Sequence, residues 1–158
     1  MAGIETDTVG ALEDLRDLAR GIYPPLLADK GLADALVSQS RKSIVPVDVV
    51  PDGIGRYPQA VEAAVYFSVL EGLQNVAKYA DASRADVRLR HAGDHLVFEV
   101  HDDGKGFDPA QTGYGTGLQG IADRLAALDG TLEVTSRPGS GTTVTGSVPV
   151  GSQPVVDV

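Results

Sequence analysis

Apolar residues recur at steps of three and four in four segments of the chain, which is the spacing of one face of an α-helix. The segments are residues 11–22, 31–42, 59–80 and 117–128. Proline lacks a backbone N–H and disfavours helical geometry in the residue before it, so Tyr23-Pro24-Pro25 ends the first segment. We therefore predict four helices, of which the first is marginal alone and needs a surface or a partner helix to pack on.

Alternation of apolar and polar residues predicts five short strands. They cover residues 45–50, 85–90, 96–102, 131–135 and 142–148. Gly93-Asp94 joins the second strand to the third as a tight turn, and Pro138-Gly139-Ser140-Gly141 joins the last two. The pattern therefore combines two hairpins with helices.

The third predicted strand ends on a carboxylate. Apolar residues alternate along residues 96–100, and the period of two places Asp102 on the same side as this apolar row. A buried carboxylate is costly unless hydrogen-bond donors meet it, and Gly104 and Gly106 let the backbone approach closely. This arrangement indicates a socket for a ligand that carries a donor, such as the amino group of adenine. Asp-Asp-Gly is also an ordinary turn signal, so a plain hairpin turn is the alternative.

A polar stripe lies on the longest predicted helix. Glu71, Asn75 and Lys78 are spaced four and three apart and lie away from the apolar side. Carboxylate and amide oxygens are ligands that magnesium takes, and a lysine ammonium provides a charge for phosphate. A magnesium ion with a nucleotide phosphate tail would use all three side chains. The alternative is a solvated helix face, since any surface helix can show this spacing.

A glycine-rich loop covers residues 103–116, before the fourth predicted helix. A loop of this length without its own structure is uncommon in a compact domain unless it has a function such as that of a lid. The first turn of the following helix has few side chains to cover its free N–H groups, so it can take a phosphate. The glycines match neither the dinucleotide-binding fingerprint nor a Walker loop, because no Gly-Lys-Ser or Gly-Lys-Thr occurs.

Composition narrows the possible function classes. The 158 residues, 42% of them hydrophobic, suit a single domain with one core. A net charge of -9 provides no diffuse attraction for nucleic acid or an anionic membrane. The sequence has no cysteine, which excludes disulfides, zinc–thiolate sites and thiol catalysis. No apolar run is long enough to span a bilayer and residues 1–10 lack the core of a signal peptide, so we expect a cytoplasmic location.

Four short motifs follow one another between residues 71 and 142. They are Glu71-Gly-Leu-Gln-Asn-Val-Ala-Lys-Tyr-Ala80, Asp102-Asp-Gly-Lys-Gly-Phe107, Gly115-Thr-Gly-Leu118 and Gly139-Ser-Gly-Thr142. In this order they resemble the N box, the two glycine boxes and the closing motif of the ATP-binding catalytic domain of two-component sensor histidine kinases. Residues 15–27 and 117–125 further resemble the subfamily of these kinases that pairs with helix-turn-helix response regulators.

The resemblance implies an α+β fold of the GHKL ATPase superfamily, which gyrase and a heat-shock chaperone share. This fold is a two-layer α/β sandwich of the Bergerat type, in which a mixed, mostly antiparallel sheet of about five strands carries three helices on one face. Residues 31–150 would be the ATP-binding domain of a longer kinase. Residues 1–23 would be the end of the second dimerisation helix, residues 24–30 a linker and residues 151–158 a disordered tail.

The resemblance also implies roles for individual polar residues. Asp102 would accept a hydrogen bond from the adenine amino group, with Thr142 helping through a water. Asn75 would ligate magnesium. Glu71 would act as a base or orient the metal, and Lys78 would contact phosphate.

The glycine boxes would supply further contacts with the nucleotide, because their backbone would fold over the triphosphate. The positions implied are Gly104, Gly106, Gly115, Thr116, Gly117 and Leu118. Tyr79 is also implied, and it stands where many relatives have a histidine.

The activity implied is that of a protein-histidine kinase, which transfers the γ-phosphoryl group of Mg-ATP to an acceptor histidine. We expect this acceptor to lie outside the chain. His91 and His95 flank a hairpin turn and are expected in solvent, and His101 lies on the strand face opposite Asp102.

The expected partners are ATP, the dimerisation and phosphoacceptor domain of the same kinase and, indirectly, a helix-turn-helix response regulator. No contact with nucleic acid or membrane is expected. A stand-alone regulatory module is the alternative, either an anti-sigma-factor-like serine kinase or a nucleotide-dependent partner-binding protein. A third interpretation, a metal-free structural domain, predicts no ATP binding.

Overall fold

Five strands and four α-helices form within residues 23–108 and 115–151, the part of the chain that the computed structural model describes. The helices are α1 (Pro25–Lys30), α2 (Leu32–Ser40), α3 (Gln59–Asn75) and α4 (Gly115–Ala126). The strands are β1 (Val47–Asp52), β2 (Ala85–Ala92), β3 (His95–Asp102), β4 (Thr131–Ser136) and β5 (Thr142–Pro149). The first predicted helix, residues 109–114 of the predicted lid and residues 152–158 of the predicted tail lie outside the described residues.

The strands pair in the order β1-β2-β3-β5-β4. β1 and β2 run parallel because α3 crosses over between them, whereas the other neighbours are antiparallel. Both predicted hairpins are present, and the pairing of β3 with β5 places Asp102 opposite Thr142. The predicted α+β sandwich with a mixed, mostly antiparallel sheet is confirmed.

The helices cover one face of the sheet. Alternate residues of the central strands point to this face, and Val87, Leu89, Leu96 and Phe98 are each 0% exposed. Burial of such a side chain stabilises the fold by about 1.5–3 kcal/mol relative to exposure. Arg88, on the opposite face, is exposed. The predicted inward and outward sides of the two central strands are thereby confirmed.

Helix α3 is buried on more sides than its sequence pattern predicts. The predicted apolar side through Val65 and Val69 is buried, but Tyr66, Phe67 and Leu70 are buried as well. The reason is the central position of α3, which contacts α2, α4 and β3. None of the helices in the described ranges is long and apolar enough to cross a membrane.

The segment predicted as a linker, residues 24–30, is helical from Pro25 onward. Proline can open a helix as well as end the preceding one, because the first helical position needs no backbone N–H. Leu27 of α1 is 0% exposed, and Arg56 donates hydrogen bonds to the carbonyl oxygens of Leu27 at 3.4 Å and Ala28 at 3.1 Å. α1 is therefore packed onto the sandwich. The division of the chain into domains stays a prediction.

Two helix ends differ from their predicted positions. The α-helical part of the third predicted helix ends at Asn75, and Val76–Ala80 form a wider π-turn. Helix α4 begins at Gly115, so Gly115 and Thr116 belong to its first turn and not to the loop. Glycine disfavours a helix by about 1 kcal/mol relative to alanine, which is why the pattern places these residues in the loop. Packing of α4 against α3 overrides that preference.

The prediction that His91 is solvated is wrong. Its Nδ1 lies 2.8 Å from the Tyr57 hydroxyl, the two rings stack with centroids 5.8 Å apart, and its Nε2 lies 3.0 Å from the carbonyl oxygen of Gly151. These partners come from distant parts of the chain, so the local turn pattern contains no sign of them. His95 has a side chain that is 42% exposed and lies beside Asp94, as expected.

Candidate functional site

Asp102 is the last residue of β3 and points to the helix-covered face of the sheet, where it is 4% exposed. Its Oδ1 accepts a hydrogen bond of 2.8 Å from the backbone N–H of Gly104. Burial raises the pKa of the Asp102 carboxyl above its ordinary value, and the hydrogen bond from Gly104 opposes this shift. A buried carboxylate in this state can accept a further hydrogen bond from a ligand. The predicted inward orientation of Asp102 is confirmed.

Gly104 and Gly106 allow the chain after Asp102 to pack closely on other backbone. A Cβ at Gly104 would lie 2.1 Å from the carbonyl oxygen of Ala80, which accepts a hydrogen bond of 2.7 Å from the N–H of Lys105. Gly106 has a φ of 64°, and a Cβ there would lie 1.9 Å from the carbonyl oxygen of Arg137. Contacts within the protein already require glycine at both positions. Their contact with a nucleotide stays a prediction.

Asp103, the residue after Asp102, links the turn that follows β3 to the segment that precedes β2. Its Oδ1 accepts backbone hydrogen bonds from Ser83 at 2.9 Å and Arg84 at 3.1 Å, and its Oδ2 accepts one from the Ser83 hydroxyl. The hydroxyl and then the backbone N–H groups hold the pKa of the Asp103 carboxyl below its ordinary value. The sequence pattern did not predict this function of Asp103, although a second carboxylate directly before a glycine signals a turn that needs a cap.

Thr142 lies beside Asp102 as predicted, but its hydroxyl has a protein partner. Thr142 Oγ1 is 2.7 Å from Ser136 Oγ. Ser136 Oγ also lies 3.1 Å from the carbonyl oxygen of Gly141 and accepts a hydrogen bond of 2.9 Å from the N–H of Phe107. Ser136 therefore connects the first glycine box to the closing hairpin. No local signal points to it, since its partner Phe107 is 29 positions away in the sequence.

Glu71 and Asn75 face helix α4. A Cβ at Gly117 would lie 3.0 Å from the Asn75 amide atoms, and one at Gly120 would lie 3.3 Å from Glu71 Oε2. Arg124 donates a hydrogen bond of 3.1 Å from Nη2 to Glu71 Oε1. The solvated helix face considered as the alternative is therefore wrong for Glu71 and Asn75. Sequence reasoning missed Arg124, which is 53 positions away from its partner.

The other predicted site residues have different environments. Lys78 is exposed, and it lies in the π-turn, where the α-helical spacing that aligned it with Glu71 and Asn75 no longer holds. Leu118 is 7% exposed in the hydrophobic core, so its side chain packs against protein. The predicted side-chain contacts of Tyr79 and Thr116 lie outside what the structure describes.

These contacts bring together four motifs that are far apart in the sequence. Ala80 of the N box lies against Gly104 of the first glycine box, and Asn75 of the N box lies against Gly117 of the second. Gly141 of the closing turn lies against the backbone of Asp102 in the first glycine box. The family described as Histidine kinase-, DNA gyrase B-, and HSP90-like ATPase matches residues 60–152, which include all four motifs. The chain belongs to this ATPase family.

Relatives of this ATPase domain include kinases of known sequence and structure. The signal transduction histidine-protein kinase/phosphatase DegS of Brevibacillus brevis is 35% identical over 99 residues, which make up 62% of this chain and 26% of that protein. The histidine kinase domain of the Erythrobacter litoralis EL346 blue-light activated histidine kinase is 26% identical with a TM-score of 0.57, covering 75% of this chain and 57% of that one. The mycobacterial sensor histidine kinase MprB, 21% identical with a TM-score of 0.57 over 78% of this chain and 93% of that one, supports the fold alone. The chain spans about a quarter of the length of DegS.

The side-chain oxygens of Glu71 and Asn75 are of the type that suits a magnesium ion bound together with a nucleotide. Within the described residues, Glu71 Oε2 is buried without a hydrogen-bond partner, and Asn75 makes no capping hydrogen bond to the π-turn. Asn75 would hold the metal by its amide oxygen, a ligand type that magnesium takes, and Glu71 would act as a base or orient the metal. No group of three or more acidic, histidine or cysteine side chains that could hold a metal occurs among the described residues. One or two protein ligands are sufficient when substrate phosphates and water complete the magnesium shell.

Proposed function

We propose that the chain is the ATP-binding catalytic domain of a sensor histidine kinase, which supplies the γ-phosphoryl group of Mg-ATP to an acceptor histidine. The proposal rests chiefly on Asp102, which is 4% exposed at the end of β3 and accepts a hydrogen bond on Oδ1 from the N–H of Gly104. Membership of the ATPase family supports it. The kinase activity, the acceptor and the partners belong to the proposal, because the chain spans only part of its curated relative.

Recognition of the base would depend on Asp102. The adenine amino group carries two donor hydrogens, and the buried carboxylate is an acceptor that is shielded from bulk solvent. Thr142 is paired with Asp102 on the neighbouring strand β5 and would assist through a water. A guanine base presents a carbonyl oxygen at the corresponding position, which the carboxylate would repel. The site would therefore select adenine over guanine.

Binding of the triphosphate would depend on the polar end of α3 and the start of α4. Asn75 would hold magnesium, which neutralises charge on the phosphate oxygens when it is bound, and Glu71 would act as a base or orient the metal. Lys78 would contact phosphate from the exposed side of the π-turn, and the backbone of Gly115 and Gly117 would border the triphosphate. The remaining contribution of the protein is to position the γ-phosphoryl group for in-line transfer.

The acceptor histidine would come from another domain. Among the histidines of the chain, His101 is closest in sequence to Asp102, but it lies on the opposite face of β3 and its Nδ1 is 2.7 Å from Thr143 Oγ1. His91 is held between Tyr57 and Gly151, away from the four motifs. We therefore propose a dimerisation and phosphoacceptor domain as the direct partner and a helix-turn-helix response regulator as the indirect one.

Magnesium removal tests the proposed function. The chain has a net charge of -9, so a triphosphate should bind weakly unless magnesium offsets the repulsion. We expect the affinity for ATP, measured by isothermal titration calorimetry, to fall at least about tenfold when a chelator replaces magnesium. In Asn75→Ala the chelator should have a smaller effect, whereas Gln59→Ala, an exposed amide at the start of α3, should behave like the unmodified chain. Equal affinities with and without magnesium, or no ATP binding at all, would refute the proposal.

A further inference from the structure

An ion pair joins the two helices that carry the N box and the second glycine box. Arg124 of α4 contacts Glu71 of α3 at 3.1 Å, and the two side chains are 24% and 19% exposed. The pair is therefore largely buried between α3 and α4 and is not a surface ion pair.

The pair is asymmetric. Arg124 uses Nη2 to bind Oε1 of Glu71. Within the described part of the chain, the second oxygen Oε2 and the second terminal nitrogen Nη1 are both buried without a hydrogen-bond partner. Arginine and carboxylate groups frequently meet through two parallel hydrogen bonds. The geometry at Glu71 leaves one carboxylate oxygen uncommitted.

For comparison, the pair of Glu62 and Arg56 in the same chain is joined by two hydrogen bonds. Glu62 is 1% exposed, and both of its oxygens are occupied. Arg56 donates from Nε to Oε2 at 3.0 Å and from Nη2 to Oε1 at 3.2 Å, and the N–H of Tyr57 donates to Oε2 at 3.3 Å. Glu62 is thus fully satisfied within the protein, as a structural carboxylate should be. Glu71 is not.

We infer that Arg124 is a positioning residue for the phosphoryl-transfer reaction, which acts by holding Oε1 of Glu71 so that Oε2 stays available to the reacting groups. This inference rests on the proposed function. Glycine at position 120 supports it, since a Cβ there would lie 3.3 Å from Oε2 and would crowd that oxygen. Arg124 itself does not contact the substrate in this scheme. Its effect on the reaction passes through Glu71.

Hydrolysis of ATP by the chain provides the simplest form of the reaction. The oxygen of a water forms a bond to the γ-phosphorus, and the bond from that phosphorus to the β,γ-bridging oxygen breaks. ADP leaves with the electron pair of the broken bond. The proton lost by the attacking water is taken up by Oε2 of Glu71.

A double-mutant cycle tests the inference. The variants are Arg124→Met, Glu71→Gln and their combination, and the measurements are phosphate release at saturating Mg-ATP and the Kd of Mg-ATP. We expect Arg124→Met to lower kcat by roughly tenfold or more while Kd stays within about twofold. In the Glu71→Gln background the same change should have no further effect on kcat, because the two residues act as a unit.

Two controls separate positioning from general damage. Arg124→Lys keeps a positive charge near Oε1 and should recover part of the lost kcat, which a purely structural role would not require. Arg88→Met makes the same chemical change on the exposed sheet face, where Arg88 pairs with Asp86, and should leave both constants unchanged. Thermal unfolding of each variant identifies any that fails to fold.

The possible outcomes distinguish this inference from the proposed function. Additive losses in the cycle, or a fall in affinity without a fall in kcat, would overturn the positioning function of Arg124. An unmodified chain that binds Mg-ATP but releases no phosphate would also overturn it, and the nucleotide site would stand. Failure of the unmodified chain to bind ATP would instead refute the proposed function.

Discussion

At the scale of single residues, two successive carboxylates have opposite environments. Asp102 is buried and its pKa is raised by the loss of solvent, whereas Asp103 is exposed and its pKa is lowered by the hydroxyl and N–H groups it accepts from. Asp103 accepts three hydrogen bonds from Ser83 and Arg84 and is open to solvent. Asp102 keeps capacity for a ligand. This difference makes Asp102 the residue on which the proposed base specificity depends.

Replacement of Asp102 by asparagine should change the preference between nucleotides. Because the N–H of Gly104 donates to Oδ1, the amide oxygen of Asp102→Asn would take that hydrogen bond and the NH2 group would face the ligand. The NH2 group would then face the adenine amino group, which is also a donor, whereas it could donate a hydrogen bond to the carbonyl oxygen of guanine. We expect ATP affinity to fall about 10- to 100-fold and the preference for ATP over GTP to shrink or reverse in calorimetric titrations.

The matched control for that substitution is Asp86→Asn. Asp86 lies on β2 and pairs with Arg88, so the loss of its charge leaves the candidate site untouched. If Asp102→Asn bound ATP as tightly as this control, Asp102 would not recognise the base.

The raised pKa of Asp102 also predicts a pH dependence. The folded state holds the Asp102 proton more tightly than the unfolded state, so the charged carboxylate lowers stability above its folded pKa and this cost is relieved as pH falls through that value. ATP affinity should change in the opposite direction, because a protonated carboxyl is a poorer acceptor. ATP titrations from neutral pH down toward pH 4 should show a larger affinity loss in the unmodified chain than in Asp102→Asn, because the titration of ATP itself is common to both. An identical pH profile in both proteins would contradict this assignment.

At the scale of elements, the contact between α3 and α4 shapes the candidate metal site. The helical and alternating patterns predicted both helices and the burial of Asp102, because those properties depend on local periodicity. They did not predict the π-turn after Asn75, the helix in residues 24–30 or the pairing of Arg124 with Glu71. These features depend on which elements pack together, and no local pattern contains that information.

Substitution of Gly117 by alanine tests the importance of this contact. The added Cβ would lie 3.0 Å from both amide atoms of Asn75, so the amide must move by a few tenths of an ångström. Alanine favours a helix by about 1 kcal/mol over glycine, so the unfolding midpoint should not fall. We expect Mg-ATP affinity to drop several-fold, about 1 kcal/mol in binding free energy. Affinity equal to that of the unmodified chain would show that Asn75 needs no exact placement by α4.

At the scale of the whole molecule, the fold brings together a candidate site that no single segment contains. Asp102 lies at the end of β3 and is paired with Thr142 of β5. The facing helices α3 and α4 carry Glu71, Asn75 and Arg124. The order of the four motifs allowed the family and the fold to be predicted, because the fold accompanies that order in related proteins. The hydrogen bonds of Ser136 and Arg124 that connect the motifs required coordinates.

The most direct test of the account is a crystal structure of the chain with a non-hydrolysable ATP analogue and magnesium. The account predicts the adenine amino nitrogen within about 3.2 Å of a carboxylate oxygen of Asp102, and the metal bound by Asn75. A nucleotide bound elsewhere, or an adenine turned away from Asp102, would contradict it.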